Sequence, residues 1–409
     1  MKSAIRGGPF CLVIALWFIP VSPILAQATM PSASHQSVWV NPQADVPYLA
    51  KPATRPADWI VEHDPVVANA SPEARALLKF LYGISGKHTL TGQHNFAAEQ
   101  GYSSQLMLRV AHKTPVIYGT DWGFAARGDK DSAYVRQATV ATLIDEYREG
   151  SIIAICWHEV RPTQDEPVTF RQSIRGKLTN QQFSDVITPG TPLYKHWCDQ
   201  VDVIAGYMKQ LQEARVPILF RPYHEMNGDW FWWGGRRGQR GTQQLYRQIF
   251  DRLVNYHHLT NLIWVWNCDR PVREDRQFVD YFPGQQYVDV FALDDYATFE
   301  QRYYDEMNAL SDGKVLAIAE TANPPTINVY RTQPKWAYWM RWAVNRPRAT
   351  SGPAASRPAG FGGFGGFALS RPAAPLADIV KDPRLFSLDD AGYWSAIAPL
   401  RVASDLPIH

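Results

Sequence analysis

The sequence predicts an α/β protein built as a (β/α)8 barrel, the TIM-barrel architecture. Three observations predict it. Short runs rich in β-branched and aromatic residues recur at His88–His94, Pro115–Asp121, Ile152–His158, Pro217–Glu225, Leu262–Asn267, Val288–Tyr296, Val315–Glu320 and Tyr338–Val344. Longer amphipathic stretches separate most of them, the alternation that a parallel sheet with crossover helices requires. Eight such units in about 260 residues suit a closed barrel. The competing architecture is an open doubly wound sheet. It is disfavoured because neither GxGxxG nor GxxxxGK[ST] opens a helix here.

Taken in order, the elements begin with a leader. Lys2 and Arg6 supply positive charge, Phe10 to Ile19 is an unbroken apolar run, and Pro20 interrupts it. Ala26 then offers a small residue for cleavage before Gln27. The run is too short to span a bilayer, which needs about 20 residues, so residues 1–26 read as a secretory signal peptide and the mature protein as secreted or periplasmic. Residues 27–72, polar and rich in Pro, Ala and Ser, read as an irregular lead-in, and residues 73–409 as the barrel domain. Between the strand runs, helices are expected at Ser103–Lys113, Tyr134–Arg148, Tyr194–Arg215, Thr242–His257 and Gln301–Leu310. Residues 346–375 break the pattern with dense Pro, Gly, Ala and Phe, the composition of a loop after the eighth strand. A last helix is expected in the tail from Leu376.

Composition narrows the function classes. Among 409 residues 45% are apolar and 20% charged, enough for a large core and too little charge for disorder throughout. Lys plus Arg is 41 against 39 Asp plus Glu, a formal charge of +2 that makes no electrostatic case for nucleic acid or an acidic membrane. The chain carries 15 Trp, 19 Tyr and 18 Phe, and flat aromatic faces suit the C–H faces of sugar rings. Removing the leader removes Cys11 and leaves Cys156, Cys198 and Cys268, so at most one disulfide can form, and Cys156 and Cys268 read as buried thiols.

In such barrels the site lies at the C-terminal ends of the strands. The residues there are His94, Asp121, Trp157, His158, His224, Glu225, Trp266, Asn267, Asp294, Tyr296, Glu320 and Trp342. Two glutamates, each ending an apolar strand, imply a partner or a task, because an ionised carboxylate is otherwise costly there. A metal centre is not expected: His158-Glu159 and His224-Glu225 both lack the second His of HExxH, and no CxxC occurs. A serine nucleophile is equally unsupported without a GxSxG elbow. No cofactor is predicted. His257-His258 reads as a solvated helix end.

The fourth run carries the most information. Arg221-Pro-x-His224-Glu225-x-Asn227-Gly228-x-Trp230-Phe231-Trp232-Trp233-Gly234 closely resembles the acid/base motif of glycoside hydrolase family 26, best known for β-mannanases. Val315-Leu-Ala-Ile-Ala-Glu320-Thr resembles that family's nucleophile strand, and the likeness extends to Gly92-Gln93, Trp157-His158, Asp294 with Tyr296, and Trp342. The resemblance implies retention through two carboxyl groups, which in such enzymes stand about 5–5.5 Å apart. Glu225 would be the acid and then base, Glu320 the nucleophile, and Tyr296 a hydrogen-bond partner of that nucleophile. Arg221 would orient the carboxylates. His158, Trp157, His224, Trp230, Trp342, Asp294 and Trp266 would line the sugar site, with packing as the plainer reading for each aromatic and at least one of Trp232 and Trp233 in the core.

The chain departs from the family in two places, one of them the Gly/Phe/Pro loop of residues 346–375, which is not expected there. Some members follow the eighth-strand Trp with an Arg that contacts a distal sugar; here Ala343 follows Trp342, which leaves Arg341 or Arg346 as substitutes. The resulting expectation is a monomeric, secreted, retaining endo-β-1,4-mannanase. Its partner is a β-linked polysaccharide, with no nucleic acid and no membrane after cleavage. Mixed-linkage β-glucan or β-1,3-xylan as substrate, or a glycan-binding protein without catalysis, are the alternatives.

Overall fold

The computed structural model describes residues 56–346 and 376–408. The signal-peptide reading, most of the lead-in and all of the 346–375 loop beyond Arg346 lie outside the described residues.

The chain enters along irregular backbone to helix α1 (Pro72–Ile84). Ser71 caps this helix by accepting the Ala74 N–H at 3.2 Å, and Pro72 occupies the first turn, where its missing N–H costs nothing. The sequence reading lacked this helix. The first strand follows in two pieces, β1 (Thr89–Leu90) and β2 (Gly92–His94). Then come α2 (Tyr102–Ala111), β3 (Ile117–Asp121), α3 (Arg136–Arg148) and β4 (Ile152–Trp157). A long excursion holds α4 (Asn180–Val186) and α5 (Pro192–Glu213), the latter capped by Thr191 on Tyr194 N–H. The rest runs β5 (Ile218–Pro222), α6 (Thr242–Phe250), β6 (Leu262–Asp269), β7 (Val290–Asp294), α7 (Gln301–Leu310), β8 (Val315–Thr321), α8 (Ile327–Thr332) and β9 (Trp336–Arg341). After the undescribed segment come α9 (Leu376–Ile379), β10 (Leu385–Phe386) and α10 (Ala391–Ala403).

All strand pairs are parallel, and β2 to β9 close on themselves. Closure occurs at Arg341, which pairs with Gln93 of β2 on one side and Thr321 of β8 on the other. The (β/α)8 barrel is therefore the observed fold. All eight strand runs and all five helices read from the sequence are found. The one revision is the Thr242–His257 helix, whose last turn widens into a π-helical stretch over Asp251–Tyr256. Two small strands, β1 and β10, extend the sheet beside β9.

Barrel strands alternate their side chains between interior and helix layer. On β5, Arg221 reaches across the interior while Phe220 faces out against Trp264, which in turn meets Tyr246 and Phe250 of α6. Helices α1 and α10 pack together, with Phe80 and Tyr393 edge to face at 6.1 Å. Arg215 ties their ends: it pairs with Glu73 and donates to the Ala403 carbonyl. Cys156, Cys198 and Cys268 are buried free thiols. Among the described residues no helix is long and apolar enough to cross a membrane. Of the two histidines at that helix end, His258 is exposed, whereas His257 is partly buried with its Nε2 2.7 Å from Asp202.

Candidate active site

Arg221, at the C-terminal end of β5, organises the barrel mouth. Its guanidinium donates to Glu320 of β8 at 2.6 Å and to Asp294 of β7 and Asn267 of β6, each at 3.2 Å. A planar fork with several donors suits this task better than an ammonium would. Tyr296 donates its hydroxyl to the other oxygen of Glu320 at 2.7 Å. Both oxygens of Glu320 are thus held by donors, which fixes the carboxylate's orientation. His224 approaches the same carboxylate, with Nε2 at 4.0 Å.

Glu225 stands opposite. One oxygen of each of Glu225, Asp294 and Glu320 lies within 4.8 Å of the others. Burial, and then the charges of Asp294 and Glu320, push the Glu225 carboxyl well above the ordinary range. The two glutamates therefore differ in environment: one is held by a cation and a phenol, the other sits in a buried, negatively charged setting. Trp230 donates its indole N–H to Glu225 at 2.5 Å, which favours the ionised form and opposes the rise.

The backbone that carries Glu225 is strained. Tyr223 and Glu225 both have φ of 50°, the left-handed region that side chains other than glycine seldom occupy. Such residues cost about 1–3 kcal/mol each and persist where the surroundings over-determine them. Here the surroundings do so. Asn267 accepts the Glu225 N–H at 2.9 Å, Trp233 donates to the His224 carbonyl at 2.9 Å, and Trp197 donates to the Tyr223 hydroxyl at 2.8 Å. Asn227 exchanges bonds with Asp269, donating to its carbonyl at 2.7 Å and accepting its N–H at 2.8 Å. Gly228 leaves room for Trp230 to fold back, since a Cβ there would sit 2.3 Å from the indole.

An aromatic wall leads away from the carboxylates. His224 meets His158 edge-on at 4.5 Å, His158 lies 6.0 Å from Trp342, and Trp342 stacks on His94 at 4.1 Å. Asp121 accepts from His158 Nδ1 at 2.9 Å, which fixes the ring, while Nε2 is buried with no partner. Burial lowers His94 to about 3 and His224 well below its usual value, so both are neutral imidazoles at ordinary pH. His224 accordingly acts on its neighbours as a dipole, not as a cation.

Two aromatic assignments are corrected. Trp157 does not face the mouth. Cys156 and His158 on either side of it both hydrogen-bond Asp121, so alternation turns Trp157 outward, where it lines a cavity of about 320 Å³ with Arg136, Glu166 and His196. Trp266 is likewise turned out by Asn267, which points in; its ring packs on Phe282 and Phe291, and its N–H meets the Tyr281 carbonyl at 3.2 Å. Trp232 and Trp233 are both buried. Neither suggested arginine points into the cleft: Arg341 donates to the Ala322 carbonyl, and Arg346 donates to the Glu99 carbonyl while lying over Tyr102.

The sequence reading placed Asn267 at a strand end without a role. The structure gives it four partners: Arg221, the Glu225 N–H, Asp294 and the Ala292 carbonyl. Its position two residues after Val265 on an inward-facing register was the signal that could have found it.

Comparison with known proteins agrees with this geometry. Residues 66–354 match the sequence profile described as Glycosyl hydrolase family 26. A mannan endo-1,4-beta-mannosidase of Thermothelomyces thermophilus is 31% identical over 68% of this chain and 55% of its own length. One from Bacillus subtilis strain 168 is 28% identical over 68% of this chain and 81% of its own. The structure of GH26A from Muricauda sp. superposes with a TM-score of 0.68 at 33% identity, over 79% of this chain and 98% of the other. The chain spans about half the length of the Thermothelomyces relative.

Proposed function

This chain belongs to glycosyl hydrolase family 26, and from that premise we propose that it is a retaining endo-β-1,4-mannanase acting on mannan, glucomannan or galactomannan. The observation that carries the reading is the pairing of Glu225 with Glu320, whose nearest carboxylate oxygens lie within 4.8 Å. That spacing suits the closely set pair of a retaining enzyme, about 5–5.5 Å apart, rather than the about 6.5–9.5 Å of an inverting one.

In the proposed reaction Glu320 is the nucleophile. Arg221 and Tyr296 hold both of its oxygens, so the attacking atom is aimed before substrate arrives. Glu225 enters protonated, a state that its buried, negatively charged surroundings favour. It gives its proton to the departing glycosidic oxygen as the bond to the anomeric carbon breaks and the bond to Glu320 forms. The resulting Glu225 carboxylate then takes a proton from water, which attacks the same carbon and releases Glu320. Asp294 maintains the field that sets Glu225. Trp230 and Trp342 offer faces for sugar rings, and His158 and His224 offer polar edges between them.

The mannanase names of the relatives support mannan as the substrate. The leader at residues 1–26 supports export, as a polymeric substrate outside the cell requires. Reducing-sugar release on mannan, glucomannan, lichenan and β-1,3-xylan tests the proposal. Release from the mannans first and strongest is expected. Preference for lichenan or β-1,3-xylan overturns the substrate, and no release from any of them overturns the enzyme.

A further inference from the structure

Three side chains of the metal-ligating kind meet on two adjacent strands behind the aromatic wall. Asp121 ends β3 and pairs in register with Cys156 of β4, and His158 lies just past the end of that strand. One oxygen of Asp121 accepts from the Cys156 thiol at 3.2 Å, from His158 Nδ1 at 2.9 Å and from the His158 backbone N–H at 3.0 Å. Its other oxygen accepts the Gly123 N–H at 2.6 Å. One ligand atom from each of the three side chains lies within 4.8 Å of the other two, and all three residues are buried. Because the group is shared between strands, no spacing along the sequence announces it.

We infer that Asp121, Cys156 and His158 form an inhibitory site for a thiophilic divalent cation, of the zinc and cadmium class, beside the sugar cleft. Thiolate, imidazole and carboxylate together are a zinc donor set. Tetrahedral zinc holds such atoms at about 2.0–2.3 Å, which sets them about 3.3–3.6 Å apart and leaves the fourth position to water. The Asp121 oxygen already lies 3.2 Å from the sulfur and 2.9 Å from the imidazole nitrogen, so small outward shifts make room for the ion. The cation takes the place of the two hydrogens that point at Asp121. Cys156 loses its S–H proton to solvent and binds as thiolate. The His158 ring stays neutral, with its proton on Nε2 in place of Nδ1. Two anionic ligands then balance the two charges of the ion, so no net charge is left buried.

The consequence lies at the mouth. His158 Nε2 is buried without a hydrogen-bond partner, and the ring meets His224 at 4.5 Å. With the proton on Nδ1, Nε2 is an acceptor; with the metal on Nδ1, it becomes a donor. Occupation of the site therefore reverses the polarity of the wall between His224 and Trp342. This effect on turnover rests on the mannanase reading, whereas the binding does not. The carboxylates of Glu225, Asp294 and Glu320 are a poorer site for such an ion. Arg221 already holds Asp294 and Glu320, and the group has no soft ligand. The plainer role of Asp121 and Cys156 is to orient His158 through hydrogen bonds alone.

Cadmium titration of the full chain, followed by the thiolate-to-metal absorption band, tests the site directly. One equivalent per chain should depend on Cys156: Cys156→Ser should remove it although Cys11, Cys198 and Cys268 remain. Serine keeps a hydroxyl to donate to Asp121, so turnover without added metal should match wild type. Should that variant fold poorly, Cys156→Ala gives the same reading. Zinc should inhibit mannan hydrolysis with slow onset, as entry to a buried site requires, and a chelator should restore it. Cys156→Ser should raise the zinc concentration for half inhibition by more than about tenfold, since loss of an outer-shell partner alone costs about 10–100-fold in metal affinity. Calcium and magnesium, which take oxygen ligands, should not inhibit at the same concentrations. A cadmium band and a zinc response unchanged in Cys156→Ser overturn the site and leave the mannanase reading intact. Binding at Cys156 with no loss of turnover overturns the inhibition, and with it the place of His158 in the sugar cleft. A metal-free protein inactive on every mannan overturns the mannanase reading, while the cadmium band still decides the site.

Discussion

Trp230 and Glu225 form a hydrogen-bonded pair, with the indole N–H 2.5 Å from a carboxylate oxygen. The ring expected to be a sugar platform thus also tunes the group that donates the proton. Because this bond favours the ionised carboxylate, removing it raises the affinity of Glu225 for its proton. Trp230→Phe keeps an aromatic face and loses the bond. Its kcat/KM profile should extend to higher pH on the alkaline side. Trp230→Ala loses the face as well and should cost about 2–4 kcal/mol in kcat/KM on polymer, on the scale of buried aromatic hot spots. A Trp230→Phe profile that coincides with wild type would show that the bond does not tune Glu225.

Asp294 acts in the opposite sense. Burial and the charge of Glu320 raise its own carboxyl well above the ordinary range, and in its ionised form it is, after burial, the leading cause of the raised Glu225 value. Asp294→Asn removes that charge, so Glu225 releases its proton at lower pH and the alkaline limb of kcat/KM should move down. The two variants together make a signed pair, and pH–rate profiles of kcat/KM on one manno-oligosaccharide, whose leaving group needs the proton, check both.

The carboxylates themselves separate by leaving group. Glu320→Ala should abolish turnover of every substrate while leaving the fold intact. Glu225→Ala should lose about 10²–10⁴-fold on polysaccharide and much less on aryl glycosides whose leaving groups need little protonation. NMR of the first-formed product should show retention at the anomeric carbon. Equal losses on both substrate types would remove Glu225 from the role of acid.

Asn267 tests the strained turn. Asn267→Ala withdraws the acceptor of the Glu225 N–H and a donor to Asp294 in one step. Leaving such buried groups unsatisfied costs about 1–3 kcal/mol each. A fall in Tm is expected together with a loss of kcat that exceeds any change in KM, because the left-handed residue at 225 is no longer held.

The corrected tryptophans give a paired comparison. Trp157→Phe should lower Tm and leave KM near wild type, since that ring faces the helix layer. Trp342→Ala should raise KM on polymer, since its ring belongs to the wall that runs from His158 to Phe96. Thermal melts and Michaelis curves on the same preparations decide between the two outcomes.

Much of this was readable from the chain because a parallel barrel writes itself plainly. Its strands are short apolar runs that end in polar residues, as Ile218–Pro222 does before His224-Glu225. Facing was harder. Trp157 and Trp266 stand at strand ends beside true site residues, and only the inward turn of Cys156, His158 and Asn267 reveals that the indoles point away. The role of Asn267 was hidden for a different reason: an amide whose four partners lie on or just beyond the two flanking strands has no local pattern. Helix α1 escaped because it precedes the repeating pattern and packs on α10, more than three hundred residues later in the chain.

The partnership of α1 with α10 sets an order of events during synthesis. Helix α1 meets α10 only when residues 391–403 have been made, and β1 waits nearly as long for Leu385 and Phe386. Contacts between such distant parts of a chain form slowly, because a long loop must close before they gain anything. The nascent protein therefore carries an open seam until residues 391–403 have emerged. A product that stops short of Ala391 leaves Phe80 without Tyr393, and an apolar face so uncovered is a surface a chaperone or protease can read.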